Sequence, residues 1–264
     1  MMKQPIPLSP EDVRTLISCP LHYHFLQQKA ALPPALAAQM ELDRLVGEAI
    51  QALHAAGGPA RLSLEASLWP VVLHPAARQM VENYYHRLER DWPRVLAVHE
   101  TMTLKISIAG ISLLLEATID RLDRTSDGGI LAILIRTQDG PLPGPDDLRQ
   151  DPALTIYHAL VAAAYPLRRP VRIQELWLQP DQEITIELDE EEYRSNLQRL
   201  RDPVRALVRG EVMARPGLHC DVCPFKYRGC PVYAQDSSAE TEPQDFDSSD
   251  SPSKISPRQW IFKN

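Results

Sequence analysis

The chain owns four cysteines, and their spacing constrains it more than any other feature. Cys220, Cys223 and Cys230 form a C-x2-C-x6-C segment near the C-terminal end, while Cys19 stands alone in Ser18-Cys19-Pro20-Leu21. A lone N-terminal thiol that completes a C-terminal triplet reads as one four-ligand site, and such a site requires the fold to bring its two ends together. Thiolates are soft ligands that suit zinc or an iron-sulfur cluster, and C-x2-C lets two of them bind from one turn. Disulfides are the weaker reading. The opening Met1-Met2-Lys3-Gln4-Pro5 lacks the apolar core of a signal peptide, and thiols kept inside a cell stay reduced. Spacing alone leaves zinc and iron-sulfur both open.

The sequence of 264 residues is 44% hydrophobic, enough for one sizeable core. We expect one domain over residues 1–235 and a disordered acidic tail over 236–264. The tail ends in an apolar Trp260-Ile261-Phe262 that reads as a short partner-docking peptide. No apolar run approaches the roughly 18 residues that span a bilayer, so the expected location is cytoplasmic, with no membrane partner. Net charge is −7. Six of the 35 acids and three of the 28 bases follow residue 235, which leaves the body at −4. Any DNA contact must therefore use a local patch. Arg194, Arg201 and Arg205, joined by Arg168, Arg169 and Arg172, are candidates for one, set against the plainer reading of a solvated helix surface.

Ser9-Pro10-Glu11-Asp12 carries an N-cap, a first-turn proline and an acid at the third position, which predicts a helix running to about Cys19. Further helices are predicted over 39–56 and 75–92, each ended by Gly or Pro. Strands follow over 97–108, 111–124 and 130–135; the last is continuously apolar and fits a central strand covered on both faces. A helix over 147–164, strands near 171–179 and 183–188, and a helix over 189–210 complete the pattern. Tyr84, Tyr85 and Trp92 read as core aromatics more readily than as a base-stacking platform.

The text around the thiols resembles the iron-sulfur branch of the PD-(D/E)XK nuclease superfamily, the RecB-like group that includes AddB and the CRISPR-associated adaptation nucleases. At the front it is similar in Cys19-Pro20-Leu21-His22-Tyr23-His24-Phe25, against a family pattern "CP…Y.F". At the back Cys220 to Cys230 matches "C..C.F….C". The resemblance covers roughly residues 8 to 233. It implies an α/β, restriction-endonuclease-like core, a central mixed sheet flanked by helices, whose N- and C-terminal segments are joined by a four-cysteine metal site. It also implies a 4Fe-4S cluster on Cys19, Cys220, Cys223 and Cys230, with zinc as the alternative.

The family's catalytic motifs are only partly matched. "G-x-x-x-H" resembles Gly47 to Gln51, with glutamine where the histidine belongs; His54, one turn on, is the substitute candidate. "G-x-I-D-R" resembles Ala117 to Arg121, which makes Asp120 the first metal-binding carboxylate. "V-D-Y-K-T" is laid on the strand with Ile135 for the acid and Thr137 for the lysine, so both essential side chains are missing. "Q-L-x-x-Y" resembles Ala153 to Tyr157 and keeps Tyr157. Glu116 lies too far along the strand to share an ion with Asp120, and alternation sends Asp123 and Arg136 to faces opposite Asp120 and Thr137 respectively. No D-x-K or E-x-K triplet exists between residues 127 and 140. Magnesium or manganese needs clustered oxygen ligands, and one carboxylate is a poor site.

The leading expectation is a catalytically degenerate DNA-binding or scaffolding subunit in DNA repair, recombination or defence, with a helicase or a repair or defence complex as possible partner. One alternative is an active metal-dependent DNA exonuclease or endonuclease using Asp120, His54 and a loop acid such as Asp139 or Asp151. The other is a zinc-stabilised protein-interaction module. No phosphate-cradling or nucleophile-elbow motif competes.

Overall fold

The structure is a computed structural model describing residues 4–28, 34–221, 223–227 and 229–233. The acidic tail and its apolar end lie outside the described residues. A short strand, β1 (Ile6–Leu8), leads into helix α1 (Pro10–Ser18). Ser9 and Asp12 cap α1 reciprocally, each side chain accepting the other's backbone N–H at 2.9–3.0 Å. The helix stops at Ser18 because Cys19 precedes a proline and takes an extended backbone (φ −156°, ψ 106°). Pro20 then opens α2 (Pro20–Gln27), so Cys19 forms the elbow between two helices.

Helices α3 (Pro34–Ala55), α4 (Leu64–Ser67) and α5 (Pro75–Arg90) follow. Then come β2 (Val95–Ile108), β3 (Ile111–Arg124) and β4 (Ile130–Arg136). The chain continues through α6 (Pro145–Arg149), α7 (Pro152–Ala164), β5 (Val171–Trp177), β6 (Gln182–Glu187), α8 (Glu190–Arg199) and α9 (Arg201–Arg209). Two expected helices are each split in two. Asp151 caps a new helix whose first residue is Pro152, and Pro203 has no N–H to donate to the Arg199 carbonyl. Strand β1 and helix α2 were not anticipated from the sequence pattern.

The six strands form one mixed sheet. β2 and β3 pair antiparallel as a long hairpin, and β3 pairs β4 antiparallel. β4 and β5 are parallel, β5 and β6 antiparallel, and β1 lies parallel to the first half of β3. The helices cover both faces. Leu16, Leu154, Leu160 and Val204 of α1, α7 and α9 pack on Leu122, Leu134 and Ile173. On the opposite face Leu53 and Tyr84 of α3 and α5 pack on Ile133 and Leu176. Successive β4 residues thus enter opposite cores, which is why that strand is apolar throughout. This is the expected mixed sheet flanked by helices. Tyr84 and Tyr85 are buried as expected; Trp92 is 44% exposed and leans on Gly58, whose φ of +82° and closeness to the indole leave no room for a Cβ. No helix among the described residues is long and apolar enough to cross a membrane.

Candidate functional site

The α1–α2 elbow meets the segment that follows α9. Arg215 donates to the Ile17 carbonyl at the end of α1 (2.6 Å), and Leu21 N–H donates to the Met213 carbonyl (3.2 Å). Phe225 packs against Phe25 at 5.1 Å and against His22 at 5.4 Å. These contacts bring the helix elbow beside the C-terminal loop, and Cys19, Cys220, Cys223 and Cys230 all line one cavity. Arg215, His219, Lys226 and Tyr233 complete its wall. All four thiols are free, Cys19 and Cys220 buried and the other two partly so. Burial pushes the Cys223 thiol up, and the three neighbouring sulfurs add to the effect. A bound metal would displace that proton. Among the described residues, no three His, Cys, Asp or Glu side chains converge tightly enough to hold a single ion.

The second candidate centre is Asp120. The β3–β4 ladder ends at Arg121 opposite Ile133, and one Asp120 carboxylate oxygen then accepts the Ile135 N–H at 2.7 Å. Burial raises the pKa of this carboxyl, opposed by that hydrogen bond and by Arg136. The register corrects the sequence alignment by one residue. Leu122 pairs with Ala132, so Leu134 and Arg136 share the Asp120 face, while Ile135 and Thr137 point to the other. Leu134 therefore stands at the acid's position and Arg136 at the lysine's. Thr137, 5% exposed, is hydrogen-bonded instead to Asp43 and Gln39 of α3.

Arg136 is committed. Its Nε and Nη2 both donate to Glu175 Oε1, at 3.0 and 2.6 Å. Glu175 is only 3% exposed and lies on β5 directly opposite Leu134. Tyr157 donates its hydroxyl proton to Glu11 on α1 at 2.9 Å; burial and Glu11 push the phenol far above its ordinary range. Glu11, Arg136 and Glu175 open onto a cleft of about 620 Å³ that Arg14, Asp151 and Trp177 also line, while Asp120 and Tyr157 are not among its lining residues. Arg14 pairs with Asp151 at 2.6 Å, and Asp151 also caps α7.

His54 is not brought to this place. It lies on the opposite face, where its Nε2 is 2.7 Å from the Tyr84 hydroxyl. Arg121 donates to the same hydroxyl at 2.7 Å. Burial first, then Arg121, lowers the pKa of His54 to about 4. Asp139 is exposed on its loop. The arginines considered for phosphate contact are largely occupied: Arg172 by Asp127 and Glu187, Arg194 by Glu190, Arg205 by Asp202. Glu11 and Glu175 were missed by sequence reasoning. A charge inside the apolar strand Val171–Trp177 was the available signal for Glu175.

A mixed sheet with helices on both faces, and a strand pair presenting Asp120 beside a terminal helix acid, defines a restriction-endonuclease-like α/β protein. The PD-(D/E)XK nuclease superfamily model matches residues 7–231, and the chain belongs to that superfamily. Two solved structures with which the chain aligns are the crystal structure of SSO0001, at 14% identity, covering 88% of this chain and 89% of the other with a TM-score of 0.46, and that of a protein assigned as an exonuclease from Eubacterium rectale, at 14% identity, 88% and 93% coverage and a TM-score of 0.49. No curated protein matches.

Proposed function

We propose that this chain is a RecB-like nuclease-fold protein that has given up cutting and serves as a DNA-binding or scaffolding subunit in repair, recombination or defence. The observation that carries this is the Leu134–Arg136 pair facing Asp120: an aliphatic side chain in the acid's place and a guanidinium already bound to Glu175. A divalent ion is held by several oxygen ligands, which must outweigh its loss of hydration. Here Asp120 spends one oxygen on the Ile135 amide, Glu175 is neutralised by Arg136, and Glu11 accepts from Tyr157. A fixed positive charge nearby further opposes a dication.

The rival is a cutting enzyme with a relocated acid. Glu175, in register with Leu134, is the observation in its favour. A digestion assay on single-stranded DNA with magnesium or manganese, run beside Asp120→Ala, separates the two. We expect no metal-dependent product from either protein; cleavage that Asp120→Ala abolishes would overturn this reading.

We further propose that Cys19, Cys220, Cys223 and Cys230 hold a 4Fe-4S cluster. Support comes from four free thiols around one cavity. Zinc held by the same four thiolates is the alternative, and the iron and sulfide content of the purified protein separates the two. The cluster's part is to fasten the α1–α2 elbow to the C-terminal loop. The residues nearby do the local work: Arg215 and Met213 tie the loop to the helix elbow, and the Phe225 ring packs between Phe25 and His22 of α2.

A further inference from the structure

His219 lies in the one-turn 3-10 helix Leu218–Asp221, next to Cys220, and lines the thiol cavity. Its Nε2 is closed off from solvent and has no hydrogen-bond partner among the described residues. The adjoining edge of the ring sits over Gly217: Cε1 and Nδ1 lie 3.0 and 3.1 Å from where a Cβ on that residue would stand. Glycine at 217 is thus what lets the ring lie this close. A buried ring nitrogen without a partner is costly, and a bound species that accepts or donates to it is one way the cost is met. Of the four buried side-chain polar atoms without a partner among the described residues, this one belongs to a residue of the thiol cavity's wall. The other cationic side chains of the wall have partners. Lys226 is held by Asp221 at 3.2 Å and lies over the Tyr233 ring at 4.9 Å, and Arg215 donates to Ile17.

We propose that the imidazole N–H of His219 is at Nε2 and donates a hydrogen bond to a sulfur of the bound iron-sulfur group, His219 acting as a tuning and positioning residue and not as a ligand. This rests on the reading that the four cysteines hold such a group. Four thiolates already complete the ligand set of a 4Fe-4S cluster, which leaves a further polar residue of the same wall an outer role. Cluster sulfurs are electron-rich and accept N–H bonds, and such bonds make the oxidised cluster easier to reduce.

The test is the midpoint potential of the anaerobically purified full chain, measured for wild type, His219→Leu and His219→Gln, with iron and sulfide content determined on each. Removing the donor in His219→Leu should lower the potential by about 59 mV, a tenfold change in the one-electron equilibrium. His219→Gln, which keeps an N–H donor, should stay near wild type. A fully loaded His219→Leu with an unmoved potential overturns the inference. Should His219→Leu lose the cluster, pulsed EPR of the reduced wild-type protein labelled with 15N-histidine decides. A 15N coupling supports the hydrogen bond and its absence refutes it. Protein that carries zinc and no sulfide overturns the cofactor reading and this inference with it, whereas a full cluster with an unchanged potential overturns this inference alone.

Discussion

Replacing Glu175 by Ala isolates Arg136, and the cost follows from burial. The two side chains are 4% and 13% exposed, and Glu175 Oε1 takes two of the guanidinium's hydrogen bonds. Breaking such a buried pair from one side leaves an uncompensated charge and costs about 3–5 kcal/mol. At roughly 2–4 °C per kcal/mol for a chain of this size, the melting temperature should fall by about 6–20 °C. Arg136→Met alone should cost a similar amount. The double variant Arg136→Met/Glu175→Leu should recover most of it, because a well-packed apolar pair often replaces a buried ion pair without loss. Urea denaturation of all four proteins gives the coupling energy directly. We expect about 2 kcal/mol or more. A coupling below about 0.5 kcal/mol would refute the reasoning, since a guanidinium bound so weakly would yield its carboxylate to a metal ion.

Restoring the motif as Leu134→Asp/Arg136→Lys, which puts an acid and a lysine on the Asp120 face, should produce manganese-dependent nicking of single-stranded DNA above the wild-type background; no gain would mean that more than these two positions has been lost. Cys223→Ala should cost on the order of 3 kcal/mol or more, as a clasp closing nearly the whole chain is opened, and a melting curve like wild type would contradict the clasp. His54, with a folded pKa near 4 against an ordinary 6.5, binds fewer protons folded than unfolded. Its contribution to stability is therefore present above about pH 6.5 and is lost as pH falls toward 4. Urea midpoints at pH 7 and pH 4.5 should differ less in His54→Gln than in wild type; equal slopes in both proteins would exclude His54 as a source of the acid sensitivity.

Much of the architecture was readable because it is written locally. The Ser9-Pro10-Glu11-Asp12 start, the hairpin through Gly110 and the doubly covered strand at Ile130 each carry their own signal. The register of that strand was not readable. Ile130 to Ile135 has no polar residue to say which face is which, and only pairing with Leu122 and Glu175 fixes it. That is how the sequence alignment placed Ile135 and Thr137 where Leu134 and Arg136 stand. The Arg136–Glu175 and Tyr157–Glu11 contacts join residues 39 and 146 positions apart, beyond the reach of any local pattern. The four cysteines were legible as one group because thiols are scarce in this chain, and the elbow at Cys19 explains how one of them reaches the rest.

Iron and acid-labile sulfide per chain, measured on protein purified without oxygen, address the proposed clasp between the helix elbow at Cys19 and the C-terminal loop. Close to four of each, lost when Cys19 is replaced, is the result the account requires. One zinc with no sulfide, or a full complement retained without Cys19, would contradict it.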